Sequence, residues 1–163
     1  MNLEKLFTMQ EELDRYIQKN NNVEGDLFDK KGLALIVELA ELANETRAFK
    51  FWSSKGPSDR EVILEEYVDS IHFLLSLGID QDLNMLKEWP EPVPLADKDL
   101  TALFLKTNKS ILEFMEQHSM STYQTVWSCY GAIAEILGFT YDDVMDAYLA
   151  KNQKNYDRQK DGY

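Results

Sequence analysis

The chain has 163 residues, 44% of them apolar, which is long enough for one domain with its own core. Its formal net charge of −12 argues against a nucleic-acid-binding surface and against docking on anionic lipid, since both need clustered basic residues. A single cysteine, Cys129, excludes an intrachain disulfide, and no apolar run reaches the roughly 18 residues of a membrane span, so a cytoplasmic protein is expected.

The N-terminal Met1-Asn2-Leu3-Glu4 has no basic region ahead of an apolar run, so no signal peptide is expected. Leu3, Leu6, Phe7, Leu13, Tyr16 and Ile17 recur at helical spacing, predicting a first helix from Leu3 to about Lys19. Asn20-Asn21-Asn22 and Gly25 end it. A second helix is predicted from Asp29 to about Trp52, stopped by Ser53-Ser54-Lys55-Gly56-Pro57. Ser58-Asp59-Arg60-Glu61 reads as a capping box that opens a third helix ending near Gly78. Ile79 to Trp89 reads as a short, weaker helix. The segment from Trp89 to Pro94 carries three prolines and is expected to be extended. Asp97 is a candidate cap for a helix running to about His118. Ser121 to Gln124 reads as the capping box of a helix stopped by Gly138, and Thr140 to Asp143 opens the last, to about Gln159. No segment alternates like a strand. The fold class is all-α, a multi-helix bundle formed by a single domain over residues 1–163.

Two matched acidic elements stand out. Glu38-Leu-Ala-Glu41 and Glu66-Tyr-Val-Asp69 each put two carboxylates three residues apart, on one helix face. Leu33 to Ala43 is apolar but for Glu38 and Glu41. Val68 to Leu77 is apolar but for Asp69, two serines and His72. Helices this apolar are expected to be buried, and buried carboxylates do not stay ionised without a cation. Mg²⁺, a hard ion that prefers oxygen ligands, is the expected partner. That points to metal-assisted chemistry on phosphates. His72 follows Asp69 by three residues, which raises a rival, the carboxylate-bridged di-iron bundle with its repeated Glu-x-x-His. The first element has Asn44 where such a repeat needs histidine, so His72 is expected to orient a ligand from behind.

Near the C-terminus, Lys151, Asn155 and Arg158 recur at i, i+4, i+7 and form one stripe suited to a polyphosphate. The plainer reading is a solvated terminal helix whose cations offset its dipole.

Taken together, Glu38-x-x-Glu41 and Glu66-x-x-Asp69-x-x-His72-Phe73 resemble the all-α nucleoside triphosphate pyrophosphohydrolases, a group that includes MazG-like enzymes and the dimeric dUTPases. Leu6 to Asp14, Phe49-Lys50-Phe51-Trp52 and Tyr148-x-x-Lys151-x-x-x-Asn155-x-x-Arg158-Gln159 look like three further motifs of the dimeric dUTPases. The resemblance implies a homodimer that uses Mg²⁺ to convert dUTP, and often dUDP, to dUMP. It implies that Glu38, Glu41, Glu66 and Asp69 hold metal, and that Lys151, Asn155 and Arg158 grip phosphates. It places Gln10 and Trp52 at the uracil and Phe73 near the deoxyribose. One position departs: Asp14 stands where better-known members have Asn, and an ionised carboxylate only accepts hydrogen bonds.

The expected reaction is in-line attack by water on the α-phosphorus, with Glu38 or Glu41 as base. Three alternatives stay open. A sister pyrophosphohydrolase would prefer another nucleotide, such as dCTP. A helical interaction module would use its carboxylates structurally. The third is the di-iron bundle.

Overall fold

The computed structural model describes residues 1–163. Six helices form it: α1 (Glu4–Asn20), α2 (Phe28–Thr46), α3 (Arg60–Asp80), α4 (Leu100–Glu116), α5 (Met120–Leu137) and α6 (Tyr141–Lys160). There is no strand, only an isolated antiparallel bridge between Asn2 and Glu88. The fold is all-α, a helical bundle, as the periodicity predicts. No helix is long and apolar enough to cross a membrane.

The bundle is organised around α3, which packs against α1, α2 and α6. Its residues are buried nearly all round, as its apolar run requires. Two tyrosine hydroxyls, one from α3 and one from α5, join α3 to α5 on a further side. Tyr67 donates to the Tyr130 carbonyl at 2.8 Å, and Tyr123 donates to the Leu74 carbonyl at 2.8 Å. Each buried phenol thus satisfies its polar tip while its ring fills the core. All six helices contribute to one cluster of 31 buried apolar residues.

Helix α2 runs antiparallel to α3. Lys31 in its first turn meets Asp80 at the end of α3 at 2.8 Å, and Glu45 near its end accepts a hydrogen bond from Ser58 just before α3. That pairing places the two acidic elements opposite one another.

Several boundaries differ from the sequence expectation, each for a local reason. Helix α2 stops at Thr46, not near Trp52, because Arg47 takes a left-handed conformation with φ 57°. Its backbone N–H closes on the Ala43 and Asn44 carbonyls. Its guanidinium donates to Lys55 O at 2.9 Å and Ser53 Oγ at 2.7 Å, which fixes the loop that follows. Ser58 forms no capping box, since its hydroxyl is spent on Glu45, and α3 begins at Arg60 without a side-chain cap. Residues 79–89 form no separate helix: α3 runs on to Asp80, and the next residues turn at Asp82, φ 56°. Their backbone pairs with the N-terminus instead, Leu3 N–H with Lys87 O and Trp89 N–H with Met1 O, both at 2.8 Å. The cap of α4 is Asp99 rather than Asp97, and that of α5 is the Ser119–Thr122 box. The Thr140–Asp143 box opens α6 as expected.

At Gly78 of α3 an added Cβ would run into the ring and hydroxyl of Tyr123 on α5. Gly78→Ala is therefore expected to destabilise the fold by about 1–3 kcal/mol in urea denaturation. Gly32, whose added Cβ meets only the flexible end of Met115, serves as the control. Gly32→Ala is expected to be neutral or slightly stabilising, because the helix gains propensity. Equal effects at both sites would show that α5 can shift freely.

Candidate active site

Opposed on α2 and α3, the carboxylates of Glu38, Glu66 and Asp69 bring oxygens within 4.8 Å of one another. All three are half-buried. Glu41, one turn beyond Glu38, is exposed at the rim and lies outside this trio, so the acidic elements supply three converging groups and a neighbour rather than four buried ones. The reason is the position of α2, which turns one side to solvent while α3 is enclosed.

Crowding of like charges shows in the protonation of the site. Burial chiefly, then a hydrogen bond with Glu41 and the charges of Asp69, Glu41 and Glu66, push Glu38 up to about 8. Burial, followed by the charges of Asp69, Glu41 and Glu45, also raises Glu66. Asp69 is raised by burial, with Lys151 working in the other direction. One oxygen of Glu38, Oε2, is buried without any hydrogen-bond partner. An orphaned buried oxygen beside two further carboxylates fits a hard divalent cation.

Helix α6 supplies the positive charge. The Lys151 ammonium lies 2.8 Å from Asp69 and 3.0 Å from Glu65, and Lys154 lies 2.9 Å from Glu65. Burial works against the charge on Lys151, but these carboxylates outweigh it and raise its pKa. Glu65, adjacent in sequence to Glu66, is not one of the trio; it anchors both lysines and shares Lys151 with Asp69. Asn155 and Arg158 line the same cleft as Lys151, Glu38 and Asp69. The guanidinium of Arg158 sits over the Tyr163 ring at 5.1 Å.

At its other end, this cleft of about 270 Å³ is walled by Gln10, Asp14, His72 and Phe73. Gln10 Nε2 donates to Asp14 Oδ1 at 2.8 Å, and Ser76 Oγ donates to Asp14 Oδ2 at 2.6 Å. His72 Nδ1 lies 2.7 Å from Gln10 Oε1, and the Tyr148 hydroxyl donates to the same oxygen at 2.8 Å. The His72 and Tyr148 rings are stacked, centroids 4.2 Å apart.

Trp52 is the one expected base contact that the fold does not bring here. It is 65% exposed and does not line the cleft; its ring makes edge contacts with Phe49 and Phe51. The early end of α2 at Arg47 carries the aromatic loop outward. Glu41 and Glu66 also lie outside the lining of the cleft, at the rim of its acidic end.

Among the polar residues of the cleft and its network, Lys31 and Ser76 were given no role from the sequence, and Tyr148 was read only as part of the terminal motif. Lys31 lines the cleft between Asp80, at 2.8 Å, and Asp14, at 4.0 Å. Spacing could have found two of them. Lys31 precedes Glu38 by seven residues and Ser76 follows Asp69 by seven, so each shares a helix face with an acidic residue. Tyr148 shows its role only once the fold stacks it on His72.

A family model described as dUTPase matches residues 2–163, so the chain belongs to the dUTPase family and is a dUTP diphosphatase with a nucleotide substrate. A search of curated proteins finds no significant match. Enzymes of this family are generally metal-dependent, and the trio of carboxylates is where a cation fits.

Glu38 holds a proton in the cation-free fold up to about pH 8, whereas in the unfolded chain it loses it near its ordinary 4.5. Between those values the folded state binds more protons than the unfolded one, so stability falls as pH rises across the window. Melting temperatures of chelator-treated protein from pH 5 to 9 are expected to decline, and Glu38→Gln is expected to flatten that decline. A parallel decline in the variant would place the pH response elsewhere.

Proposed function

We propose that this dUTPase is Mg²⁺-dependent and cleaves dUTP between the α- and β-phosphates, giving dUMP and pyrophosphate, with dUDP as a second substrate. The observation that carries the reading is the cleft itself, which joins the acidic trio and the α6 cations to a hydrogen-bonded polar pocket in which Asp14 already has partners inside the protein. A charged end suits phosphates and a structured polar end suits a base.

Glu38, Glu66 and Asp69 would hold Mg²⁺, which when bound neutralises phosphate charge and acidifies water. Water attacks the α-phosphorus; its oxygen forms the new P–O bond as the bond to the bridging oxygen breaks. Of the two candidate bases, Glu41, beside Glu38 and outside the trio, would take the water's proton. Pyrophosphate leaves with the bonding electrons. Arg158 and Asn155 orient the β- and γ-phosphates, the guanidinium through paired N–H donors. Lys151 gives up its contact with Asp69 and turns its ammonium to the same oxygens. Phe73, half-buried on α3, supplies an apolar surface for the sugar.

The whole chain acts as one domain, and two copies form the working enzyme. Exposed apolar residues support this: Leu33 and Val37 one turn apart on α2, and Leu105 and Leu112 two turns apart on α4. Helices α2 and α4 pack together, so the two stripes lie on neighbouring elements. A second reading, a sister enzyme with another base preference such as dCTP, is kept open by Asp14 alone.

Pyrophosphate release from dUTP, dCTP, dTTP and UTP with and without Mg²⁺ tests the proposal. dUTP is expected to be strongly preferred, and chelation to abolish release. Asp69→Asn is expected to lower kcat by at least about a thousandfold with the fold retained, since it removes a charge from the trio. Retained turnover in this variant would remove Asp69 from the metal site. Lys151→Met is expected to have opposed effects: a higher KM for dUTP, but tighter Mn²⁺ binding by the nucleotide-free protein, because a competing cation is gone. Unchanged Mn²⁺ affinity would show that Lys151 does not compete for Asp69.

A further inference from the structure

We propose that Asp14 is a positioning residue for base recognition: through Gln10 it holds His72 with its proton on Nδ1, leaving Nε2 as the acceptor presented to a nucleobase imide N–H. The ligand in this inference rests on the dUTP reading; the wiring rests on the hydrogen-bond geometry and the burial of His72.

Both oxygens of Asp14 are already engaged inside the protein. Oδ1 accepts from Gln10 Nε2, Oδ2 accepts from Ser76 Oγ, and the Lys31 ammonium stands 4.0 Å from Oδ2. A carboxylate so occupied acts on its neighbours rather than on a base. Its first effect is on Gln10, which is only 3% exposed. With the NH₂ group turned to Asp14, Oε1 faces His72 Nδ1 and the Tyr148 hydroxyl. The reversed amide would set its carbonyl oxygen 2.8 Å from Asp14 Oδ1, acceptor against acceptor. Asp14 therefore fixes the amide, and the amide oxygen requires a donor at His72 Nδ1.

The imidazole carries a single proton, because burial keeps His72 far below its usual range, at about 3. With that proton on Nδ1, Nε2 is a bare lone pair. This nitrogen has no partner in the protein, and His72 is 6% exposed while lining the cleft. The stacked Tyr148 ring, 16° from parallel, holds the imidazole plane. An unpaired buried acceptor is unfavourable until a donor reaches it. The N3–H of uracil is such a donor. Cytosine has a lone pair at N3 and would meet Nε2 acceptor to acceptor, a mismatch that polar pockets reject strongly. Asn fills the same role, since its side-chain oxygen also accepts from Gln10. The exchange of Asn for Asp thus keeps the polarity that matters.

The test is ¹⁵N NMR of histidine-labelled, nucleotide-free protein, with His118→Asn used to assign the two histidines. The wild type is expected to show a protonated Nδ1 and a bare Nε2 at His72. Asp14→Ala is expected to lose that single tautomer and to lower the dUTP-to-dCTP ratio of kcat/KM by at least about tenfold. Asp14→Asn is expected to restore both. A proton on Nε2 in the wild type overturns the wiring, even with normal dUTP turnover. So does an Asp14→Ala protein that folds and keeps both tautomer and selectivity. Should Asp14→Ala fail to fold, the wild-type tautomer and the Asp14→Asn pair still decide. A bare Nε2 in a protein that releases no pyrophosphate from dUTP supports the wiring and fails the dUTP reading.

Discussion

Repulsion among carboxylates that face each other across α2 and α3 is the constraint on which the rest of this structure turns. Glu38, Glu66 and Asp69 share a half-buried space, and their charges and burial drive Glu38 to hold a proton near neutral pH. A site of this kind lowers the stability of the cation-free fold. It persists because two features hold its walls together. One is the enclosure of α3 by α1, α2 and α6, which fixes the register of Glu66 and Asp69 through apolar burial rather than through the charges themselves. The other is Lys151, which offers Asp69 an internal counter-ion.

The same helix serves both ends of the cleft. Asp69, His72, Phe73 and Ser76 lie on successive turns of α3 and run from the acidic trio to the polar pocket. A nucleotide laid along them would meet charge first and hydrogen-bond polarity last. Because α3 is rigidly enclosed, the distance between the two ends is fixed by helical rise rather than by loop conformation. On the proposed reading, base and phosphates would be held at a separation set by this one helix.

Much of this was legible in the sequence. The acidic elements declared themselves because carboxylates in apolar runs are costly, and the α6 stripe because cations are sparse in so acidic a chain. The all-α class followed from helical periodicity, and α6 opened where its capping box stands. What escaped was whatever depended on a contact between distant segments. The unequal burial of Glu38 and Glu41 follows from which side of α2 the rest of the bundle covers. The end of α2 at Arg47 follows from a guanidinium captured by Ser53 and Lys55. The turn after α3 follows from its pairing with the N-terminus. Trp52 illustrates the cost: a motif can be read correctly as a string and still be carried away from the cleft by a helix that ends six residues early.

Asp14 shows the opposite lesson. As a letter in a motif it looks like a change of recognition chemistry, a donor-acceptor group replaced by a pure acceptor. In the fold its two oxygens face Gln10 and Ser76 and both accept, so the donor that an Asn would add is not what these contacts use. What matters is that some oxygen at this position accepts from Gln10, because that single bond decides the direction of every hydrogen bond beyond it. Gln10 points its carbonyl oxygen one way, and Tyr148 and His72 must both supply protons to it. A network of this kind transmits polarity without moving an atom. Largely buried along the cleft wall, it resists inversion, since reversing one bond reverses all and leaves like groups in contact. On the proposed reading the base pocket would be set before the nucleotide arrives, with one buried acceptor, His72 Nε2, left for the nucleotide to pair, while the acidic end would await its cation.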